Sequence, residues 1–469
     1  MKSFPKTIII LLAGLLFHPV VFSQNSDYKR ISGNWSGELD LPTQKLELIF
    51  KISADSAGEL TTKMDVPLQG AKDLPVTKTE LMGDSLKITV GMIMGKYEGE
   101  IENDSIVAGY WSQRGVEYAL RLTKKENVTE LLRPQNPQPP YPYISEDVEY
   151  KNPESGLKLA GTLTVPRENK KFPAVILITG SGAQDRDETI FEHRPFAVIA
   201  DYLTRNGIAV LRVDDRGVGG SEGNISNATS EDFAGDVIAG IHFLKNRNEI
   251  DDENIGLIGH SEGGIIAPMV ANRTNEAAFM VLLAGPGIPG EQILYQQNDR
   301  SLKAMGMSDE MISQNRQLQE NIFRIILNEQ DSAKRMDRLQ RTLSGGMYPM
   351  MNEDQKKAID AQVEAVNTPW FRFFLTYDPY PALTKVDCPV LALIGENDMQ
   401  VPAESNLPAI EKALKEGGNP DYKIMKLEKL NHLFQASETG AISEYGQIEE
   451  TISPGVLEII KDWIWKRME

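Results

Sequence analysis

Six short runs beyond residue 170 are apolar at almost every position: 174–179, 208–213, 255–258, 280–283, 390–394 and 424–427. A strand with one wet face alternates, so runs apolar on both faces belong in a parallel sheet covered by helices. Helix-period stretches lie between them, at 196–205, 233–245, 265–272 and 407–415. The order of elements predicts a doubly wound α/β domain from about residue 145 to the end, with its functional loops at the carboxyl ends of the strands.

One interval breaks the alternation. Residues 290–379 hold no buried-strand run and read as amphipathic helices, including 291–305, 309–328 and 331–343. A helical insertion between two sheet strands makes a cap. Its later part, 347–377, is rich in methionine and aromatic residues. Met347, Trp370, Phe371 and Phe374 are candidate pocket-wall residues, against the plainer reading that such side chains pack the cap onto the sheet.

Before this domain, residues 32–123 alternate in short runs, as in 45–52, 85–90, 97–101 and 117–122. Turn signals separate them at Ala57-Gly58, Gly83-Asp84, Asn103-Asp104 and Arg114-Gly115. Period two with such turns predicts an antiparallel meander of seven or eight strands over 24–132, curled into a small barrel-like domain that hides its edges. Trp35, Tyr110 and Trp111 either line a ligand groove there or fill the β core. Residues 133–144 carry too many prolines for helix or ladder and read as a semi-rigid linker. A hairpin follows over 148–165, turning at Glu154-Ser155-Gly156.

The chain start reads as a secretory signal over 1–23: Lys2 and Lys6 precede an apolar run, 8–22, and small Ser23 stands before polar Gln24. A membrane anchor is the rival, but the run holds His18-Pro19 and falls short of the roughly 20 residues that span a bilayer. An exported product, periplasmic or secreted, is expected, with no stable membrane insertion once the signal is removed. The one cysteine, Cys388, excludes an intrachain disulfide and a thiolate metal cluster. The formal charge of −18 becomes −20 without Lys2 and Lys6, which repels nucleic acid.

Chemistry enters directly after the run 255–258, where Gly259-His260-Ser261-Glu262-Gly263-Gly264 leads into an apolar helix. This is G-x-S-x-G between strand and helix, a turn so sharp that side chains at Gly259 or Gly263 would collide with backbone while the serine hydroxyl stays exposed. Ser261 is the candidate nucleophile, at a helix N-terminus that favours developing negative charge. A serine needs a base, and the base needs a carboxylate to orient it. Besides His18 the chain holds only His193, His242, His260 and His432. His193 precedes the serine, His242 lies within a helix, and His260 sits in the elbow facing away from the hydroxyl. His432 follows the last major strand in a loop and is the candidate base. The carboxylate is expected after the run 390–394, where Asp398 is preferred over Glu396 because the intervening glycine turn can swing it towards the histidine loop. Two backbone N–H groups should hold the oxyanion, one from Glu262 and the other from Ser181 or Gly182 in the loop after the first core strand. A phosphate-cradling loop is the alternative for these glycines, but no Gly-Lys-Ser/Thr follows.

Residues 145–469 resemble the α/β-hydrolase superfamily. The combination of 180–187 (Gly-Ser-Gly-Ala-Gln-Asp-Arg-Asp), 214–221 (Asp-Asp-Arg-Gly-Val-Gly-Gly-Ser) and the elbow is similar to bacterial carboxylesterases of the esterase D type, which also carry a β-rich N-terminal domain. The resemblance implies a cofactor- and metal-free serine carboxylesterase acting on short or medium acyl esters, its triad on Ser261, Asp398 and His432. Thr179 stands where the family usually has histidine, a departure touching loop anchoring rather than the triad. Asp185, Arg186, Asp187, Asp214 and Arg216 are read as bracing. Two alternatives remain: a serine aminopeptidase or amidase, marked by an amine-binding carboxylate such as Glu291, Asp299 or Glu320 in the pocket, and a binding protein whose β domain is the working part.

Overall fold

The computed structural model describes residues 30–41, 45–54, 59–69, 71–113, 115–125 and 132–468. The segment 1–23 expected to be a secretory signal, the turn at Ala57-Gly58 and Arg114 lie outside them. The chain forms two compact units, the first largely residues up to 128 and the second largely residues from 129 on.

The first unit is one antiparallel sheet of nine strands: β1 Gly33–Asp40, β2 Lys45–Ala54, β3 Leu60–Val66, β4 Ala71–Pro75, β5 Lys78–Met82, β6 Ser85–Val90, β7 Gly95–Asn103, β8 Ile106–Gln113 and β9 Val116–Lys125. Their order is β4-β3-β2-β1-β9-β8-β7-β6-β5, one strand more than the upper count read from the sequence. The two outer strands, β4 and β5, are consecutive in the chain and joined by only Val76 and Thr77. Such a link reaches about 11 Å at most. The sheet must therefore curl until its ends approach, and a Thr79–Thr62 hydroxyl contact of 2.8 Å from β5 to β3 marks the place. Alternate residues face inward, and Trp35, Phe50, Tyr97 and Trp111 fill the interior, with the Phe50 ring 5.9 Å from Tyr97 and 6.1 Å from Trp111. Trp35 and Trp111 are thus core residues, whereas Tyr110 is exposed.

The second unit opens with the hairpin β10 Ile144–Lys151 and β11 Lys158–Val165, followed by β12 Phe172–Ile178, β13 Ala209–Val213, β14 Ile250–His260, β15 Met280–Leu283, β16 Val390–Gly395 and β17 Tyr422–Leu427. Their order is β10-β11-β13-β12-β14-β15-β16-β17, parallel from β13 onward. The chain leaves β12 to one side for β13 and returns on the other side for β14, so a crevice opens between the ends of β12 and β14. Alternate strand residues feed two cores. Ala174, Ile176 and Ile178 pack under α2 Ser230–Lys245, α3 Gly263–Arg273 and α9 Ala403–Glu416, while Val175 and Leu177 pack under α1 Pro195–Arg205 and α10 Pro454–Trp465. This two-sided burial is why the strands read as continuous apolar runs.

Between β15 and β16 stands the cap: α4 Gly290–Ala304, α5 Asp309–Asn328, α6 Ser332–Leu343, α7 Glu353–Val366 and α8 Pro369–Thr376. Each of the last four begins at a residue whose side chain accepts an N–H of its first turn, namely Ser308, Asp331, Asn352 and Thr368. The cap has its own core of Phe323, Ile325, Ile326, Leu339, Ile359, Val363 and Leu375.

The proline-rich segment is tied down within the second unit. The Arg133 guanidinium donates to the carbonyls of Phe191, Gly446 and Ile448, and Gln135 both donates to the Ile452 carbonyl and accepts from the Thr451 amide. Close by, His193 is wholly buried, with Nδ1 2.8 Å from the Thr451 hydroxyl and Nε2 3.0 Å from the Tyr445 carbonyl. Burial, aided by the Arg133 cation, lowers its pKa from 6.5 to about 4. The unfolded chain then binds this proton near pH 6.5 and the folded chain only near pH 4, so stability is lost as pH falls through that window. A His193→Gln variant should lose less thermal midpoint than the wild type between pH 6.5 and 4; parallel melting curves across that range would refute the assignment.

Candidate active site

The elbow forms where β14 ends and α3 begins. Ser261 adopts φ +51°, a left-handed backbone that costs a non-glycine residue about 1 kcal/mol or more. Its N–H bonds to the Leu283 carbonyl at 2.8 Å, fixing the strained residue against the end of β15. The glycines answer a steric demand: a Cβ at Gly259 would lie 2.0 Å from the Gly263 carbonyl oxygen, and one at Gly263 would lie 2.2 Å from the Ile178 oxygen.

His432 and Asp398 come from the loops after β17 and β16. Both are buried, and His432 Nδ1 stands 2.8 Å from Asp398 Oδ2. The other carboxylate oxygen accepts the amides of Gln400 and Val401, each at 2.8 Å, so Asp398 is fixed before it meets the imidazole. Glu396, the rival, is turned outward to Lys426 and the Lys429 amide, which hold its pKa below the usual carboxylate value. Ser261 and His432 line one cavity of about 250 Å³. Among the described residues the His432 ring is hydrogen-bonded to Asp398 and no hydrogen bond joins it to the Ser261 hydroxyl.

The loop after β12 closes on the nucleophile: a Cβ built at Gly180 would lie 3.2 Å from the Ser261 Cβ. Among the described residues no protein acceptor takes the amides of Ser181, Gly182 or Glu262. The Glu262 carboxylate accepts from Ser230 at 2.6 Å and from the Trp370 indole at 2.8 Å, and burial raises its pKa. Asp215 accepts from the Thr179 hydroxyl and the Gln184 amide, and burial pushes its pKa up to about 7.

The cap supplies the apolar wall through Ile293, Leu294, Trp370 and Phe374, with Gln184, Gln297 and Gln400 elsewhere on the lining. Two expected wall residues are elsewhere. Phe371 is turned from the cavity and packs on Phe323 at 5.8 Å inside the cap, and Met347 is 59% exposed in the loop before α7. The bracing residues do brace: Arg186 grips Asp214 at 2.7 Å and Asp147 at 2.9 Å, Asp187 pairs with Arg212, Arg216 with Asp232 and Asp236, and the Asp185 carboxylate accepts the Asp187 amide. His242 lies apart, half-exposed beside Glu276.

Two members of the site were missed by sequence reasoning. Glu188 Oε1 accepts the Gly180 amide at 2.7 Å and lies 2.9 Å from His260 Nδ1, while His260 Nε2 reaches the His432 carbonyl at 3.0 Å. Burial opposes a charge on His260, but the Glu188 carboxylate, the His432 carbonyl and Asp398 outweigh it and raise its pKa. Glu188 stands one residue past Asp-Arg-Asp, and no pattern in the chain pairs it with the elbow.

A family model described as serine aminopeptidase, S33, matches residues 192–436, more than half of the chain. The protein belongs to this family. It is therefore a serine hydrolase, and the sheet with its cap is the α/β-hydrolase fold. The chain is 25% identical to esterase EstD of Thermotoga maritima over 309 residues, 66% of each protein, so the match spans just under two thirds of that relative. It is 24% identical over 271 residues to an uncharacterised Escherichia coli protein, covering 56% of this chain and 86% of the other. Among solved structures, a Penicillium α/β hydrolase aligns at 17% identity and TM-score 0.44 over 69% of this chain and 99% of its own. A Pyrococcus furiosus esterase aligns at 17% and 0.44 over 70% and 91%.

Because the elbow leaves no room beside Gly259, a Gly259→Ala variant should lose about 3 kcal/mol or more of stability, read as a lower guanidinium midpoint; an unchanged midpoint would contradict the packing.

Proposed function

We propose that the protein is an exported carboxylesterase that hydrolyses short or medium acyl esters through Ser261, His432 and Asp398. The observation that carries the reading is the conjunction of a left-handed Ser261 at the strand–helix elbow with a buried Asp398–His432 pair lining the same cavity. His432 takes the hydroxyl proton as Ser261 Oγ attacks the ester carbonyl, and Asp398 keeps the imidazole in the tautomer that can accept it. The uncommitted amides of Glu262 and of Ser181 or Gly182 receive the oxyanion. Collapse expels the alcohol, which recovers the proton from His432. Water, deprotonated by His432, then cleaves the acyl-enzyme and releases the acid.

The rival reading, an aminopeptidase, has the family description in its favour. An exopeptidase needs a spare carboxylate for the substrate amine. The carboxylates on the cavity lining are Glu188 and Glu262, and protein donors already occupy both. Glu291 is bonded to the Tyr295 hydroxyl and Asp299 to Arg316, and neither these nor Glu320 line the cavity. A neutral ester suits this lining better. The volume fits a short or medium acyl chain, given that about 150 Å³ holds a benzene ring. Export rests on the leader at 1–23, and no helix among the described residues is long and apolar enough to cross a membrane.

Against a nitrophenyl acyl-ester series and aminoacyl anilides, the mature protein should cleave esters with a chain-length optimum, and Ser261→Ala should lower kcat by about 10⁴-fold or more. Cleavage of anilides alone would move the reading to the aminopeptidase. Phe374→Ala, which opens the apolar wall, should shift the ester optimum to longer chains; an unmoved optimum would take Phe374 out of the acyl site.

A further inference from the structure

Three parts of the site come from distant stretches of chain: the loop holding Ser181, the elbow holding Ser261, and the loop holding His432. One buried pair touches all three. A single oxygen of Glu188 accepts the amide of Gly180, the residue before Ser181, and meets Nδ1 of His260, the residue before Ser261. The other ring nitrogen of His260 meets the backbone carbonyl of His432 itself. Glu188 is 5% exposed and His260 7%.

The donor count is informative. A carboxylate and a carbonyl oxygen both accept, so the imidazole between them must donate from both nitrogens. Burial opposes a charge on His260, but these acceptors favour its doubly protonated ring, and every side-chain bond of the pair is spent on a catalytic segment. It makes no bond to the Ser261 hydroxyl. Burying two charges is costly unless geometry and hydrogen bonds are good, and removing one partner strands the other. Asp215 holds the same loop by two further handles, the Thr179 hydroxyl and the Gln184 amide.

We infer that Glu188 and His260 are positioning residues that lock the oxyanion loop, the nucleophile elbow and the His432 loop into one register. The inference rests on the esterase reading above. A displacement near 1 Å at a reacting group can cost about 100-fold in rate, so loss of the pair should be felt in turnover more than in binding.

The test measures kcat and KM on the preferred nitrophenyl ester, with thermal midpoints, for the wild type, Glu188→Ala, Glu188→Gln, His260→Gln and Ser261→Ala. Glu188→Ala should lose about 30-fold or more in kcat with KM changed less than about threefold, in line with that misplacement cost. Glu188→Gln, whose amide oxygen can still accept from Gly180 and His260, should recover at least about a fifth of wild-type kcat. A merely structural role would lower the midpoints and spare kcat per folded molecule. A folded Glu188→Ala with near-normal kcat overturns the inference, as does Glu188→Gln as impaired as Glu188→Ala. Should Glu188→Ala not fold, His260→Gln reads the same split: a selective loss of kcat supports the inference and normal turnover overturns it. Ser261→Ala separates the two claims. If it retains activity the site reading itself fails, whereas a dead Ser261→Ala beside an active Glu188→Ala sinks only the positioning role.

Discussion

The left-handed turn at Ser261 is the constraint to which the rest of the second unit answers. It presents the hydroxyl above the sheet, and it can exist only because Gly259, Gly263 and Gly264 let three pieces of backbone approach within contact distance. The Ser261 amide closes on the carbonyl of Leu283, so the strain is borne by the ladder between β14 and β15 rather than by the loop itself. The crevice between β12 and β14 follows from strand order, and it puts the Gly180 loop beside the serine.

Around that turn the molecule gathers four carboxyl groups. Glu188, Asp215, Glu262 and Asp398 all lie within the shell of loops at the strand ends, and each accepts from named donors: backbone amides, hydroxyls, the Trp370 indole or an imidazole. A carboxylate is a good anchor for a loop because it accepts from several N–H groups at once. It also stands near the amides proposed to receive an oxyanion. The raised pKa values of Asp215 and Glu262, both driven by burial, reduce that conflict by favouring the neutral forms.

Much of this was legible in the residues because its causes are local. Strands buried on both faces have to be apolar throughout, and Gly-His-Ser-Glu-Gly between strand and helix admits few other structures. The choice of Ser261, His432 and Asp398 rested on chain order and the scarcity of histidine, and the structure joins His432 to Asp398 and sets Ser261 and His432 on one cavity. What escaped were pairings across sequence distance: Glu188 with His260 is 72 residues apart, and Trp370 with Glu262 is 108. The cap blurred for another reason. Helices α7 and α8 carry capping signals at Asn352–Gln355 and Thr368-Pro369, but methionine and aromatic residues scattered between pocket wall and cap packing mask their helical period. Helical phase then decided between neighbours, turning Trp370 to the cavity and Phe371 to the cap core. In the first unit the alternation was plain, whereas the ninth strand and the curl depended on a two-residue link that no periodicity reports.

The strap formed by Arg133 and Gln135 alters where the second unit begins. A composition boundary would place the seam after the prolines, at the first strand of the hairpin. Yet those two side chains cover the carbonyls of Phe191, Gly446, Ile448 and Ile452, groups from two far-apart stretches that have left regular structure. The prolines between them and β10 therefore form a stiff lead from this clasp into the sheet. Any rearrangement that moved this catalytic unit onto another partner, by recombination or by hand, would have to carry the dozen residues ahead of its sheet along with it.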